Sequence, residues 1–170
     1  MSFTMYSASV PVFTRTLGNM VLWLDKAEAH AQAKKFDAAV YLSARLAPDM
    51  LPFPKQIQIA CDAAKFCVAR LAGVDAPKQE DTEASLADLK VRIQKTIDFI
   101  ASVPAAKIEG SEARDIVVPR RDGSLTLKGE VYLKNYAMAN FFFHATTTYA
   151  LLRHNGVDLG KGDFLGSFSA

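Results

Sequence analysis

Apolar residues recur at steps of three and four along most of this chain, and that spacing predicts four long helices. Val10, Phe13, Leu17, Met20, Leu24 and Ala27 mark the stripe of a first helix expected over residues 6–34. Pro11 falls in its first turns, where a missing N–H does least harm. Asp37 is placed to cap a short helix through Tyr41 and Leu46. Pro48, Pro52 and Pro54 then impose an extended passage, since proline restricts itself and its predecessor. A second helix is expected over residues 54–71, with Ile57, Cys61, Ala64, Val68 and Leu71 on one stripe and Gly73 as its stop. After a polar connector, Asp81 or Thr82 is expected to cap a third helix. Leu86, Leu89, Ile93, Ile97 and Ile100 would face inward, Lys90, Gln94 and Lys95 outward, and Pro104 ends it.

The period then changes. Residues 115–119 and 124–127 are short β-branched runs on either side of Asp122-Gly123, a dipeptide that tolerates positive φ and marks a hairpin. Two strands alone are marginal, so the ribbon must lean on the helices. The last helix, expected over residues 129–155, is apolar almost all round through Phe141-Phe142-Phe143. Val131, Tyr132, Tyr136, Ala139, Phe143 and Leu151 are its expected inward residues. Such a helix is central or lies in a subunit interface. The sum is an all-α four-helix bundle with a small β-hairpin before the last helix, a single domain over residues 1–170.

Composition narrows the function class. Twenty basic against eighteen acidic residues give a net charge of +2, far from the footprint of a dedicated nucleic-acid binder. No apolar run approaches the ~20 residues of a membrane span, and the first residues lack a secretory pattern. The expected address is the cytoplasm, with no nucleic acid and no membrane as partners. Cys61 and Cys67 match no zinc or redox spacing and are expected reduced and buried. The phosphate-loop, dinucleotide, zinc-protease and nucleophile-elbow motifs are all missing.

Polar residues on the apolar last helix are the main chemical clue. Asn140 and His144 are four apart and lie about 40° from one another on one face, which Thr147 extends. A buried imidazole and a buried amide both need hydrogen-bond partners. They form either a metal or ligand site in the bundle core or a self-satisfied polar network. On the second helix Gln56, Gln58 and Asp62 interrupt the apolar run, and Gln58 and Asp62 are one turn apart. Facing His144, Asp62 would be a metal-shell or histidine-orienting group. Otherwise it pairs with Lys55, Lys65 or solvent. His30 and His154 sit near helix C-termini, where the dipole favours a cation, and are read as structural.

Three stretches carry a resemblance: LGNMVLWLDKAEAHA over residues 17–31, ARLAPDMLPFPKQIQIACDAAK over 44–65 and NFFFHATTTYALLRHNGVDLGKGDFLG over 140–166. Together they resemble an uncharacterised bacterial domain-of-unknown-function family within the DinB/YfiT-like metalloenzyme superfamily. The resemblance implies up-down-down-up topology, a homodimer, and a metal site made by one histidine of the second helix and an HxxxH pair of the fourth. Some members of the superfamily are thiol-dependent transferases or hydrolases. The pair falls at Asn140 and His144 and the second-helix ligand near Gln58, so one histidine of three is present. Neutral amides are poor ligands beside imidazole and carboxylate. The expected cofactor is none or a weakly bound divalent metal on His144, Asn140 and Gln58. The expected pocket is Gln58, Asp62, Asn140, His144 and Thr147, with His144 as the candidate catalytic residue. Two functions follow: a non-catalytic bundle that binds a small molecule or acts structurally, or a metal- or thiol-dependent hydrolase or transferase of a small molecule.

Overall fold

Helix α1, Val10–Lys34, carries the expected stripe, and every residue named for it is buried. It starts four residues later than expected and closes at Lys35, the sole non-glycine residue with positive φ among those described. There the N–H groups of Lys35 and Phe36 bond back to Gln32 and Ala31, closing the helix end. The computed structural model describes residues 3–167. Asp37 caps a 3-10 turn, Ala38–Ser43, by accepting from the Ala39 N–H at 2.8 Å. Helix α2, Phe53–Ala72, follows the proline passage and stops at Gly73, whose φ of 65° suits glycine.

The connector after α2 decides the topology. Asp81 bonds Lys55 and Glu83 bonds Gln58, both near the start of α2, so the chain has run back the length of that helix. Helix α3, Leu86–Ser102, therefore starts at the same end as α2. Ser85 rather than Asp81 or Thr82 caps it, accepting from the Asp88 N–H at 3.1 Å, because Asp81 is held by Lys55 and Arg92. After a one-turn helix, Ala105–Ile108, strands β1 (Asp115–Arg120) and β2 (Gly123–Lys128) pair antiparallel, with Arg120 opposite Gly123. The turn residues are thus Arg121 and Asp122, one earlier than expected, and Gly123 takes the positive φ of 129°. Ile116 and Val118 bury one face of the ribbon on the bundle while Val117 stays exposed.

The fourth helix, α4, is continuous over residues 129–154. It is α-helical at Gly129–Val131, π-helical at Tyr132–Ala137 and α-helical again at Met138–His154. Gln56 meets His144 and Arg70 meets Tyr132, so α4 runs antiparallel to α2. Phe13 meets Phe141 and Trp23 meets Tyr149, so it runs parallel to α1. The result is an up-down-down-up four-helix bundle with one hairpin. The expected inward stripe of α4 needs correction: Val131, Ala139 and Phe143 are exposed, and Leu133, Ala137, Phe141, His144 and Ala145 face the core instead. An apolar-all-round helix has no moment from which to read its phase. A terminal turn, Lys161–Leu165, folds back on α1, where the Trp23 indole N–H donates to the Asp163 carbonyl and the Asn19 amide to that of Phe164. No helix among the described residues is long and apolar enough to cross a membrane.

One buried cation ties the connector to both helices. The Arg92 side chain is 2% exposed and reaches Glu83 at 2.9 Å, Asp81 at 3.0 Å and Asp62 at 3.2 Å. Burial opposes the charge on Glu83, but the hydrogen bonds from Arg92 and Gln58 outweigh it and hold the carboxyl below its ordinary range. Removing one partner of a buried pair leaves an uncompensated charge. Arg92→Met is expected to cost about 3 kcal/mol, read as a lower denaturant midpoint, and adding Glu83→Gln to recover part of it. A double variant no more stable than the single one would contradict this account.

Candidate functional site

The antiparallel contact of α2 with α4 brings together part of the polar set and separates the rest. His144 is buried, and its Nδ1 lies 2.7 Å from Gln56 Oε1. The Gln56 amide nitrogen donates to the Leu51 carbonyl at 2.8 Å, which leaves its oxygen as the atom facing the ring. An amide oxygen only accepts, so Nδ1 carries the imidazole proton and Nε2 keeps a lone pair. Thr148 donates to the His144 carbonyl and Thr147 to that of Phe143, so both hydroxyls bond back within their own helix.

Two turns further along the contact, a groove of about 160 Å³ opens between α2 and α4 under the hairpin. Ile59, Asp62, Ala63, Phe66 and Arg70 line it from α2, Tyr132, Tyr136, Ala137 and Asn140 from α4, and Val118 and Pro119 from β1. These α2 residues follow steps of three and four and so form one helical face. Asp62 accepts from Lys65 at 2.8 Å and Arg92 at 3.2 Å, both through Oδ1. The Asn140 side chain makes no hydrogen bond among the described residues, and its amide stands in the groove wall. Arg70 donates to the Tyr132 hydroxyl at 3.0 Å and lies over the Phe66 ring at 5.0 Å. Tyr132 and Tyr136 stack, with centroids 5.8 Å apart.

The expected pocket therefore divides. Asp62 and Asn140 share the groove, whereas His144 is closed against Gln56 and is not among the groove-lining residues. Gln58 turns to the other side of α2 and donates to Glu83 at 2.7 Å. Thr147 is engaged with its own backbone. Gln56, not Gln58, is the α2 residue opposite His144, and Asp62 pairs with cations, not with the imidazole. Phe66, Arg70, Tyr132 and Tyr136 were not singled out for chemistry in the sequence. The steps from Ile59 to Arg70 could have placed Arg70 on the Asp62 face, but the two tyrosines depend on the π turn.

A larger hollow of about 440 Å³ lies between the connector and α3, with Lys78, Gln79, Arg92 and Lys95 in its wall. Its carboxylates are spent locally: Glu83 on Arg92 and Gln58, Glu80 on Lys78, Asp88 on the cap of α3.

The donor set does not fit the metal site that the superfamily resemblance implies. Among the described residues no three His, Cys, Asp or Glu side chains converge to hold an ion. Only one imidazole stands at the expected positions, its nearest neighbour is an amide that already accepts its proton, and Asp62 Oδ1 is shared by two cations. Cys61 and Cys67 are wholly buried, which pushes the Cys61 thiol up to about 12 and the Cys67 thiol higher still, so neither is a ready thiolate.

Burial also lowers the His144 pKa from its ordinary 6.5. The unfolded chain then takes up a proton at a pH where the folded protein does not, so stability is full above about pH 6.5 and falls as acidification proceeds. The carboxylates held down by cations, Asp81 and Glu83, act in a separate and more acidic window. The melting temperature is expected to drop between pH 7.5 and 5.5, and His144→Gln to flatten that slope. Parallel slopes for the two proteins would place the titration elsewhere.

Residues 5–165 match the family model described as "Domain of unknown function (DUF1993)". The chain is also similar to the crystal structure of a DinB family member protein from Shewanella denitrificans, with a TM-score of 0.89 and 39% sequence identity. That match covers 97% of this chain and 93% of the other. No curated protein matches. With the four-helix topology and the α2–α4 contact in place, the chain belongs to the DUF1993 family of DinB-like bundles.

Proposed function

We propose that this protein is a non-catalytic small-molecule binder whose site is the α2–α4 groove. One observation carries the reading: the Asn140 amide, a donor and acceptor without a side-chain partner among the described residues, stands in a groove that also presents Asp62 and Arg70. Polar groups that fix a ligand's orientation in an otherwise apolar cleft are the usual anatomy of such sites. The volume is below the roughly 300–1,000 Å³ of drug-sized pockets, so the occupant is small. Metal coordination is replaced here by hydrogen bonding, and any divalent metal on His144, Asn140 and Gln58 would be weakly held.

The test is a fragment screen by protein-observed NMR on the wild type and on Ala63→Leu, which fills the groove from α2. Shifts at Phe66, Tyr136 and Asn140 that vanish in Ala63→Leu are the expected result. Untagged protein should also hold well under one equivalent of zinc, nickel or iron by elemental analysis. Fragments that bind Ala63→Leu unchanged, or stoichiometric metal, would refute the reading.

A second reading, a hydrolase or transferase of a small molecule, has one observation in its favour. His144 with its proton on Nδ1 and a lone pair on Nε2 is in the form a general base needs. With both cysteines buried, a thiol in such a reaction would be a co-substrate.

The outward side of α4 supports a homodimer. Val131, Ala139 and Phe143 lie on it, and Phe143 is 56% exposed. Light scattering at micromolar concentration is expected to give twice the chain mass, and Phe143→Glu the monomer mass. A monomeric wild type would exclude that assembly.

A further inference from the structure

We infer that the groove selects a small organic acid in extended form, with its carboxylate at Arg70 and a hydroxyl or amide group at the Asp62–Asn140 end; this rests on the binding reading above. Arg70 has no acidic partner among the described residues. Its guanidinium is held between a phenol and a ring, with Nη1 on the Tyr132 hydroxyl and Cζ over Phe66, and among the described residues no group bonds its Nε or Nη2. That edge of the fork is the one that grips a carboxylate through two parallel N–H bonds. Packing against the two rings orients the fork before any ligand arrives.

The surrounding charge favours an anion. Asp62, the single carboxylate in the groove wall among the described residues, has its charge answered through Oδ1 by Lys65 and Arg92, each 2% exposed. It does not repel an acid, and its Oδ2 remains to accept from a ligand hydroxyl or amide. Arg120 at the hairpin adds a further cation over the Tyr136 ring at 5.9 Å. Shape completes the case. Arg70 and Asp62 are eight residues apart on one helix, about 12 Å along the axis. Ala63, Phe66 and Ala137 make the wall between them apolar, and Ile59 continues it beyond Asp62. A compact inorganic anion would meet Arg70 alone, whereas a chain of methylenes carrying a polar group at each end meets both.

Titration of the full chain with 6-hydroxyhexanoate, 6-hydroxyhexanamide, 1,6-diaminohexane and inorganic phosphate, followed by NMR, tests this. The acid is expected to shift the groove resonances and to bind at least tenfold more tightly than the other three. Arg70→Gln should weaken the acid tenfold or more, Arg70→Lys less, and added salt should weaken it progressively. Lysine keeps the whole aliphatic stem and glutamine its first two methylenes, and circular dichroism of both variants verifies folding. If the amide or diamine binds the groove as well as the acid, or if Arg70→Gln binds the acid unchanged, the anion assignment fails while the binding reading stands. If no probe of any charge perturbs the groove, and none of the fragments does, both fail.

Discussion

Helix α4 has to be seated against α2 although it is apolar on nearly every side, and its π turn settles how. Regular steps back from Phe141 and Ala137 would bring Lys134 and Glu130 towards the core. The wider turn at Tyr132–Ala137 absorbs the difference, so Tyr132 and Leu133 are buried while Lys134 bonds Glu130 outside at 2.9 Å. Gly129 locks the start of the same helix, because a Cβ there would come within 2.0 Å of the Ser111 carbonyl oxygen. The groove follows from this. Both tyrosines come from the π turn, and Asn140 lies just beyond it. A local departure from α geometry next to a polar cleft is a recurrent feature of functional sites.

The second determinant is electrostatic, and it lies on the opposite side of α2. Arg92 and Lys65 are almost fully buried cations, and Asp62 is the carboxylate they share. Asp62 thus has two faces: Oδ1 belongs to the network that fastens the connector to α2 and α3, and the rest of the side chain belongs to the groove. Stability and recognition meet in one residue. Substituting Asp62 would disturb the network before it said anything about a ligand, which makes Asn140, Ala63 and Arg70 the informative positions.

Much of this arrangement was legible in the chain. The stripes of α1 and α2 matched residue for residue, the hairpin was misplaced by one residue, and Gly73 stopped α2 as its chemistry requires. The phase of α4 was not legible, since Phe141, Phe142 and Phe143 present similar side chains in three directions and only Phe141 is fully buried. Nor was the burial of Arg92, because the three carboxylates that accept it come from α2 and the connector. The resemblance proved structural in content. Asn19, Trp23 and Lys26 in its first stretch bond Phe164 and Asp163 in its last, and Trp23 packs on Tyr149 and Phe164. Those stretches describe how the chain end is fastened to α1, and they carry the fold more than the chemistry.

The resemblance implies a metal pair at Asn140 and His144, and the contacts of these two residues point in different directions. Two residues one turn apart on α4 serve a common ion only if both aim at a shared point with a third donor on α2. Here His144 is answered by an amide that also bonds the Leu51 carbonyl, so its ring is fixed and its Nδ1 is spent. Asn140, one turn earlier, stands in the groove wall. A histidine in place of Gln56 would offer a second lone pair to an ion. Glutamine instead accepts a hydrogen bond from His144, which leaves a closed pair beside an open cleft. The chemistry left to the cleft is that of its own walls: a guanidinium oriented by aromatic rings at one end, an amide and a half-used carboxylate at the other, and apolar surface between.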